Sequence, residues 1–171
     1  TTPVTLEDMI HHTKPVVRGA PATFIAADLP FGTYNVSIEQ AIENANRLYK
    51  ETGCDCVKLE GGAEMADTIA AIVKAGIPVM GHIGLTPQTA GMLGGFRVQG
   101  ATPEAAKKLI EDVKAIERAG AFSVVLECVP KGVAKAITEA VEIPILGIGA
   151  GPYVDCQVLV THDLLDMYGD F

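Results

Sequence analysis

The chain has 171 residues, 49% of them hydrophobic, a formal net charge of -8 and a pI near 4.9. That composition fits one globular domain with an aliphatic core, since tryptophan is absent and aromatics make up 5%. An acidic balance argues against a nucleic-acid partner, which wants a clustered basic face, and no apolar stretch approaches the roughly twenty residues of a membrane span.

Two textures alternate along the chain: short apolar, β-branched runs and longer Ala-rich stretches with helical spacing. Thr5 to Asp8 reads as the cap of a short helix through His11 and His12, whose adjacent positions make the two rings diverge and serve poorly as co-ligands. The first strand run is 23-TFIAADLPF-31. Ser37 with Gln40 forms a capping box, and Ile38, Ala41, Ile42, Ala45, Leu48 and Tyr49 share one helix face that Gly53 stops. The run 54-CDCVKLEGG-62 follows, then a helix carrying Met65, Ile69, Ile72 and Val73 up to Gly76. After the run 77-IPVMGHIG-84 comes 91-GMLGGFRVQG-100, a Gly-rich segment suited to a mobile flap or a plain surface loop. Thr102-Pro103 starts a helix with the stripe Leu109, Ile110, Val113 and Ile116, closed by Gly120. The runs 121-AFSVVLECVP-130 and 143-IPILGIGAG-151 flank a helix marked by Val133, Ala134 and Ile137, and a sixth run, 157-QVLVTHD-163, lies near the end. GIGAG lacks the strand-to-helix G-x-G-x-x-G setting of a dinucleotide site and reads as a close-packed strand end.

Near-continuous apolar runs suit strands buried on both faces, hence parallel, and uninterrupted strand–helix alternation means right-handed βαβ units. A doubly wound sheet and a (β/α)8 barrel both satisfy the pattern, and the length alone favours the former, because a complete barrel wants about 250 residues. Cys54 and Cys56, two apart on the expected strand, are expected to share a face. The four cysteines lack metal-site spacing and read as buried thiols of a reducing cytosol.

Polar residues recur at one kind of place. Asp28, Lys58 and Glu60, His82, and Glu127 end four successive strand runs. In parallel α/β folds all strand C-termini open on one side, where ligands bind, so residues far apart in sequence converge on one mouth. Lys58 and Glu60 are two apart, point the same way and are expected to compensate one another. Asp28 and Glu60 are oxygen ligands suited to Mg²⁺, and Lys58 suits the carboxylate of a substrate. Glu127, crowded by apolar residues, suits a general base or acid. A hard metal plus a base is the equipment for making an enolate from a keto acid.

The stretches ADLPFGTY, VKLEGG, GHIGLTPQ, FRVQG, LECVP, GIGAG and QVLVTHDLL, in this order, resemble the ketopantoate hydroxymethyltransferase family over essentially the whole chain. The resemblance implies a (β/α)8 TIM barrel of the phosphoenolpyruvate/pyruvate superfamily. It implies transfer of a hydroxymethyl group from methylenetetrahydrofolate to 3-methyl-2-oxobutanoate, giving ketopantoate for pantothenate and coenzyme A biosynthesis, with Mg²⁺ as cofactor. Carried over by position, Asp28 is a metal ligand that also meets the substrate, Glu60 neighbours the metal through water, and Lys58 binds the keto acid. Glu127 is the catalytic base, and His82 lines the catalytic site. A keto acid and a folate are the implied partners, within a homo-oligomer, a decamer by resemblance, and in the cytoplasm or an organelle.

Family members carry an upstream Gly-Asp-Ser stretch, with a second metal aspartate, that nothing here matches. Residues 1–171 are therefore expected to form one barrel domain with strands three to eight, lacking N-terminal strands and C-terminal helices. Cys156 and Asp166 stand where glycine is usual, which questions the backbone demand at both. Two alternatives are another metal-dependent C–C lyase or mutase acting on an α-keto acid and a non-catalytic truncated barrel.

Overall fold

The computed structural model describes residues 2–167; Thr1 and the C-terminal 168–171 lie outside the described residues. Six strands, β1 (Ala26–Asp28), β2 (Cys56–Lys58), β3 (Val79–Gly84), β4 (Ser123–Glu127), β5 (Ile145–Ile148) and β6 (Cys156–Gln157), form one sheet. Their spatial order is β1-β2-β3-β4-β5-β6, every neighbouring pair parallel. A doubly wound sheet reverses its strand order at a switch point. This order never reverses, so the sheet is of barrel type, against the expectation from length alone.

The helices are α1 (Leu6–Gly19), α2 (Ile38–Thr52), α3 (Ala66–Lys74), α4 (Pro103–Arg118), α5 (Lys131–Thr138) and the single turn α6 (Thr161–Leu164). α1 is longer than the cap signal suggested: the Thr5–Asp8 capping box starts it, and it runs through the exposed Pro15. On α2, Ser37 Oγ accepts from the Gln40 N–H, and Gly53 ends the helix in the left-handed region. On α4, Thr102 caps and Pro103 occupies the first turn.

Period two separates the two faces of the sheet. Ala27, Val57, Val79, Val124, Leu126 and Ile145 face the helices and join the large apolar core. The opposite face holds a small cluster of Cys56, Met80 and Val125, with Leu146 and Ile148 against it. Asp28 pairs in register with Lys58, His82 with Val125, and Glu127 with Ile148. Residues paired across parallel strands point the same way, so the polar strand ends share the face of this small cluster.

Four local expectations fail. Cys54 and Cys56 do not share a face: Cys54 joins the helix-side core and Cys56 the other cluster. β2 starts only at Cys56, so alternation has not begun at Cys54. Nor are all the thiols buried, because Cys128 is half-buried and Cys156 exposed. The sixth run enters the sheet only through Cys156–Gln157; Leu159 and Val160 are exposed and Thr161 opens a helical turn. His11 and His12 do not diverge but stack edge to face with centroids 5.2 Å apart.

Of the two positions where glycine is usual, Asp166 has φ 51, in the left-handed region glycine favours, whereas Cys156 does not have positive φ. GIGAG is close-packed: a Cβ on Gly147 would lie 2.7 Å from the Val154 side chain. Among the described residues no helix is long and apolar enough to cross a membrane.

Candidate active site

The four strand ends converge as expected. Lys58 Nζ lies 3.1 Å from Asp28 Oδ2 and 3.3 Å from His82 Nδ1. On the other side of the ring, His82 Nε2 lies 3.1 Å from Glu127 Oε2. Glu60 Oε1 is 3.7 Å from Nδ1. One imidazole therefore touches the polar ends of two neighbouring strands. Where the Lys58 ammonium donates to Nδ1, a neutral ring carries its hydrogen on Nε2, facing Glu127. Glu127 Oε2 sits beside the N–H direction rather than along it, so Nε2 has no aligned hydrogen-bond partner. That leaves the carboxylate held near the ring without committing its lone pairs. The Glu127 side chain is 21% exposed, so it sits at the lip of the apolar run rather than inside it.

Lys58 was expected to compensate Glu60; its ion-pair contact is with Asp28, and it also draws the Glu60 carboxyl down electrostatically. Lys58 and Asp28 stand in register on adjacent strands, whereas Glu60 lies beyond the end of β2. Glu60 is held by other groups. Its Oε2 accepts from the Gln88 backbone N–H at 3.0 Å, and its own N–H donates to the Tyr34 hydroxyl at 3.3 Å. Tyr34 in turn donates to Gln88 Oε1 at 2.7 Å, and Gln88 Nε2 donates to the Leu29 carbonyl at 3.0 Å. Burial pushes the Tyr34 phenol up to about 12, which keeps it a neutral hydrogen-bond donor. Burial also raises the Glu60 carboxyl above its usual range, with His82 and the Gln88 N–H pulling the other way. Burial likewise pushes the Cys56 thiol up to about 12, which makes it inert as a nucleophile.

The backbone is tight around Glu127. Its carbonyl accepts from the Leu85 N–H at 2.8 Å, and Cys128 follows it at φ 53. A non-glycine residue in the left-handed region is a strained conformation of the kind that collects at functional sites.

Sequence reasoning missed Tyr34, Gln88 and Asp112. The first two sit in loops after β1 and β3, and only the fold brings them together. Asp112 left a signal: it interrupts the apolar stripe of α4 and is buried. Its Oδ1 accepts from the Ala63 N–H at 2.9 Å, and Lys108 Nζ lies 2.6 Å from Oδ2. The carboxylate thus ties the loop after Glu60 to α4. Asp112→Leu should cost about 2–4 kcal/mol by leaving a backbone donor unpaired, and Asp112→Asn about 1, because one acceptor survives. Chemical denaturation of both variants checks the order; equal costs would show the carboxylate to be dispensable.

The sequence profile of the family described as ketopantoate hydroxymethyltransferase matches residues 1–171. The chain is 64% identical over 171 residues to the 3-methyl-2-oxobutanoate hydroxymethyltransferase of Heliobacterium modesticaldum, covering 100% of this chain and 62% of that one. It is 59% identical over 168 residues to the enzyme of that name from Clostridium botulinum, covering 98% of this chain and 61% of that one. The chain thus spans less than two thirds of the length of these curated relatives. Among solved structures it is similar to phosphonopyruvate hydrolase, with TM-score 0.64, 14% identity and coverage of 97% of this chain and 63% of that one. It is also similar to the carboxyl transferase domain of Rhizobium etli pyruvate carboxylase, with TM-score 0.58, 18% identity and coverage of 83% and 25%. At such identities the likeness concerns the fold, which is the barrel type expected from the motifs.

Proposed function

The chain belongs to the ketopantoate hydroxymethyltransferase family, and from that premise we propose that its protein converts 3-methyl-2-oxobutanoate to ketopantoate. The observation that carries the reading is the His82–Glu127 contact of 3.1 Å at the strand ends, with Lys58 on the other side of the same ring. The one-carbon unit comes from methylenetetrahydrofolate, and water supplies the hydroxyl oxygen. Lys58, held between Asp28 and His82, binds the keto-acid carboxylate as a point charge. Glu127 removes the proton from C3, the carbon next to the carbonyl, and that carbon forms the new C–C bond. His82 stands 3.1 Å from the Glu127 carboxylate on the Nε2 side of its ring and limits by contact where that carboxylate can sit.

Mg²⁺ is the metal we assign to this site. Asp28 offers a carboxylate with a 44% exposed side chain, while one Glu60 oxygen is already taken by the Gln88 N–H. Among the described residues no group of three or more His, Cys, Asp or Glu side chains forms a cage. Mg²⁺ needs only one or two protein carboxylates and keeps several waters. Asp28 would ligate it directly and Glu60 through water. Bound there, the ion would polarise the keto carbonyl and stabilise the charge developing on its oxygen.

In the full-length protein, 3-methyl-2-oxobutanoate with Mg²⁺ in D₂O should exchange its C3 proton before any donor is added, followed by NMR. Ketopantoate should then form on adding methylenetetrahydrofolate. Asp28→Asn should raise the Mg²⁺ needed for half-maximal exchange at least about tenfold, the size of losing one charged ligand contact. An unchanged Mg²⁺ titration would remove Asp28 as ligand, and absence of exchange by the wild type would remove the proposed reaction.

A further inference from the structure

A cleft of about 500 Å³ opens between the loops after β1, β2 and β3 and the first half of α4, with Glu60, Met65, Gly84, Met92, Ala105 and Leu109 among its walls. We propose that this cleft is the subsite for the reduced pterin of the one-carbon donor. The inference rests on the reaction proposed above.

Position is the first reason. A one-carbon unit passes between two molecules only when donor carbon and acceptor carbon meet, so the donor needs a subsite contiguous with that of the keto acid. The cleft shares Glu60 with the strand-end cluster and borders it at Gly84. Glu60 lies against His82, and Gly84 is the residue paired with Glu127 across β3 and β4. A molecule seated in the cleft therefore lies beside the strand-end cluster on the α4 side, with Glu60 common to both.

The second reason is chemistry. A reduced pterin has apolar faces and an edge rich in N–H donors. The cleft offers thioether and aliphatic surface from Met65, Met92 and Leu109, with the Glu60 carboxylate as an acceptor. Its volume falls in the range of small-molecule sites, about 300–1,000 Å³. Met92 is 89% exposed, a polarisable side chain with little of its own fold to pack on. It lies on the Gly-rich segment 91–100, which is tied to the reacting strand by the Gln99 N–H donating to the Cys128 carbonyl at 2.9 Å. The flap over the cleft is thus anchored one residue past Glu127.

The wall opposite the flap is built in advance. The carboxylate of Asp112 stands so close to Gly62 that a Cβ there would meet it at 2.4 Å. Both Asp112 oxygens are engaged by Ala63 and Lys108. The cleft therefore does not depend on a ligand to form.

The test uses the full-length protein with methylenetetrahydrofolate as probe. Ala105 is half-buried on the first turn of α4, so a larger side chain there projects into the cleft. Ala105→Trp should raise the KM for methylenetetrahydrofolate at least about tenfold while the KM for the keto acid stays within twofold. Met92→Ala, at an exposed position, should raise the donor KM severalfold in the same direction and serves if the tryptophan variant misfolds. Donor KM unchanged in both variants overturns the subsite. So does a loss of donor-free C3 exchange equal to the loss of transfer, which would assign the cleft to the keto acid. Failure of the proposed reaction itself reads differently, as a wild type without exchange or without transfer.

Discussion

Glu127→Gln is expected to lower C3 proton exchange of 3-methyl-2-oxobutanoate by about 10²–10⁴-fold, the range over which a positioned general base acts. The substitution changes little else. Glutamine has the same shape, and the contacts that fix the residue are made by its backbone: the Leu85 N–H on its carbonyl and the ladder to Gly84 and Ile148. The side chain is 21% exposed and its nearest charged-group contact is His82, so folding stability should change by less than about 1 kcal/mol. An amide cannot take up the proton. Exchange measured by NMR in D₂O, beside a thermal melt of the same variant, separates loss of chemistry from loss of fold. Retained exchange would remove Glu127 as the base. His82→Gln gives the contrast: it leaves the carboxylate but releases it from the ring, so exchange should fall less far than in Glu127→Gln.

The site was legible in the sequence to the extent that it depends on strand direction. Asp28, Lys58, His82 and Glu127 all follow apolar runs, and parallel strands bring such ends to one side whatever the loops between them do. The barrel order was legible only through the family motifs, because a βαβ pattern is common to barrels and doubly wound sheets. Pairings were less legible. Lys58 met Asp28 rather than Glu60 because register between neighbouring strands outranks spacing along one strand. Tyr34 and Gln88 close the motif stretches ADLPFGTY and GHIGLTPQ, but nothing in the sequence paired them, since loop residues join the Glu60 carboxylate only when three βα units are in place. Cys54 misled because the strand starts two residues later than its apolar run. The run after Gln157 misled because an apolar run by itself does not say where pairing stops: β6 ends at Gln157, and Thr161 opens a helical turn.

Gly84→Ala is expected to be the most damaging substitution of a single small residue near the site. Gly84 has φ +89, and a Cβ built on it would lie 2.2 Å from the Glu127 carbonyl oxygen. That atom is backbone, and it already accepts the Leu85 N–H, so no side-chain rotation relieves the clash. Two effects add: strain of an L-residue in the left-handed region, about 1–3 kcal/mol, and forced separation of β3 from β4, about 1–3 more. Gly76 separates them. It has φ +93 with nothing within 4 Å of an added Cβ, so Gly76→Ala should show only the first effect. The difference in unfolding free energy between the two variants measures the approach of Gly84 to Glu127. The catalytic consequence follows from the same contact: a strand pushed outward carries the Glu127 side chain away from His82, so C3 exchange should fall by about 10²-fold or more even where Gly84→Ala still folds, a displacement of about 1 Å sufficing. If Gly84→Ala is no less stable than Gly76→Ala and exchanges at the wild-type rate, then β3 does not hold the base in position.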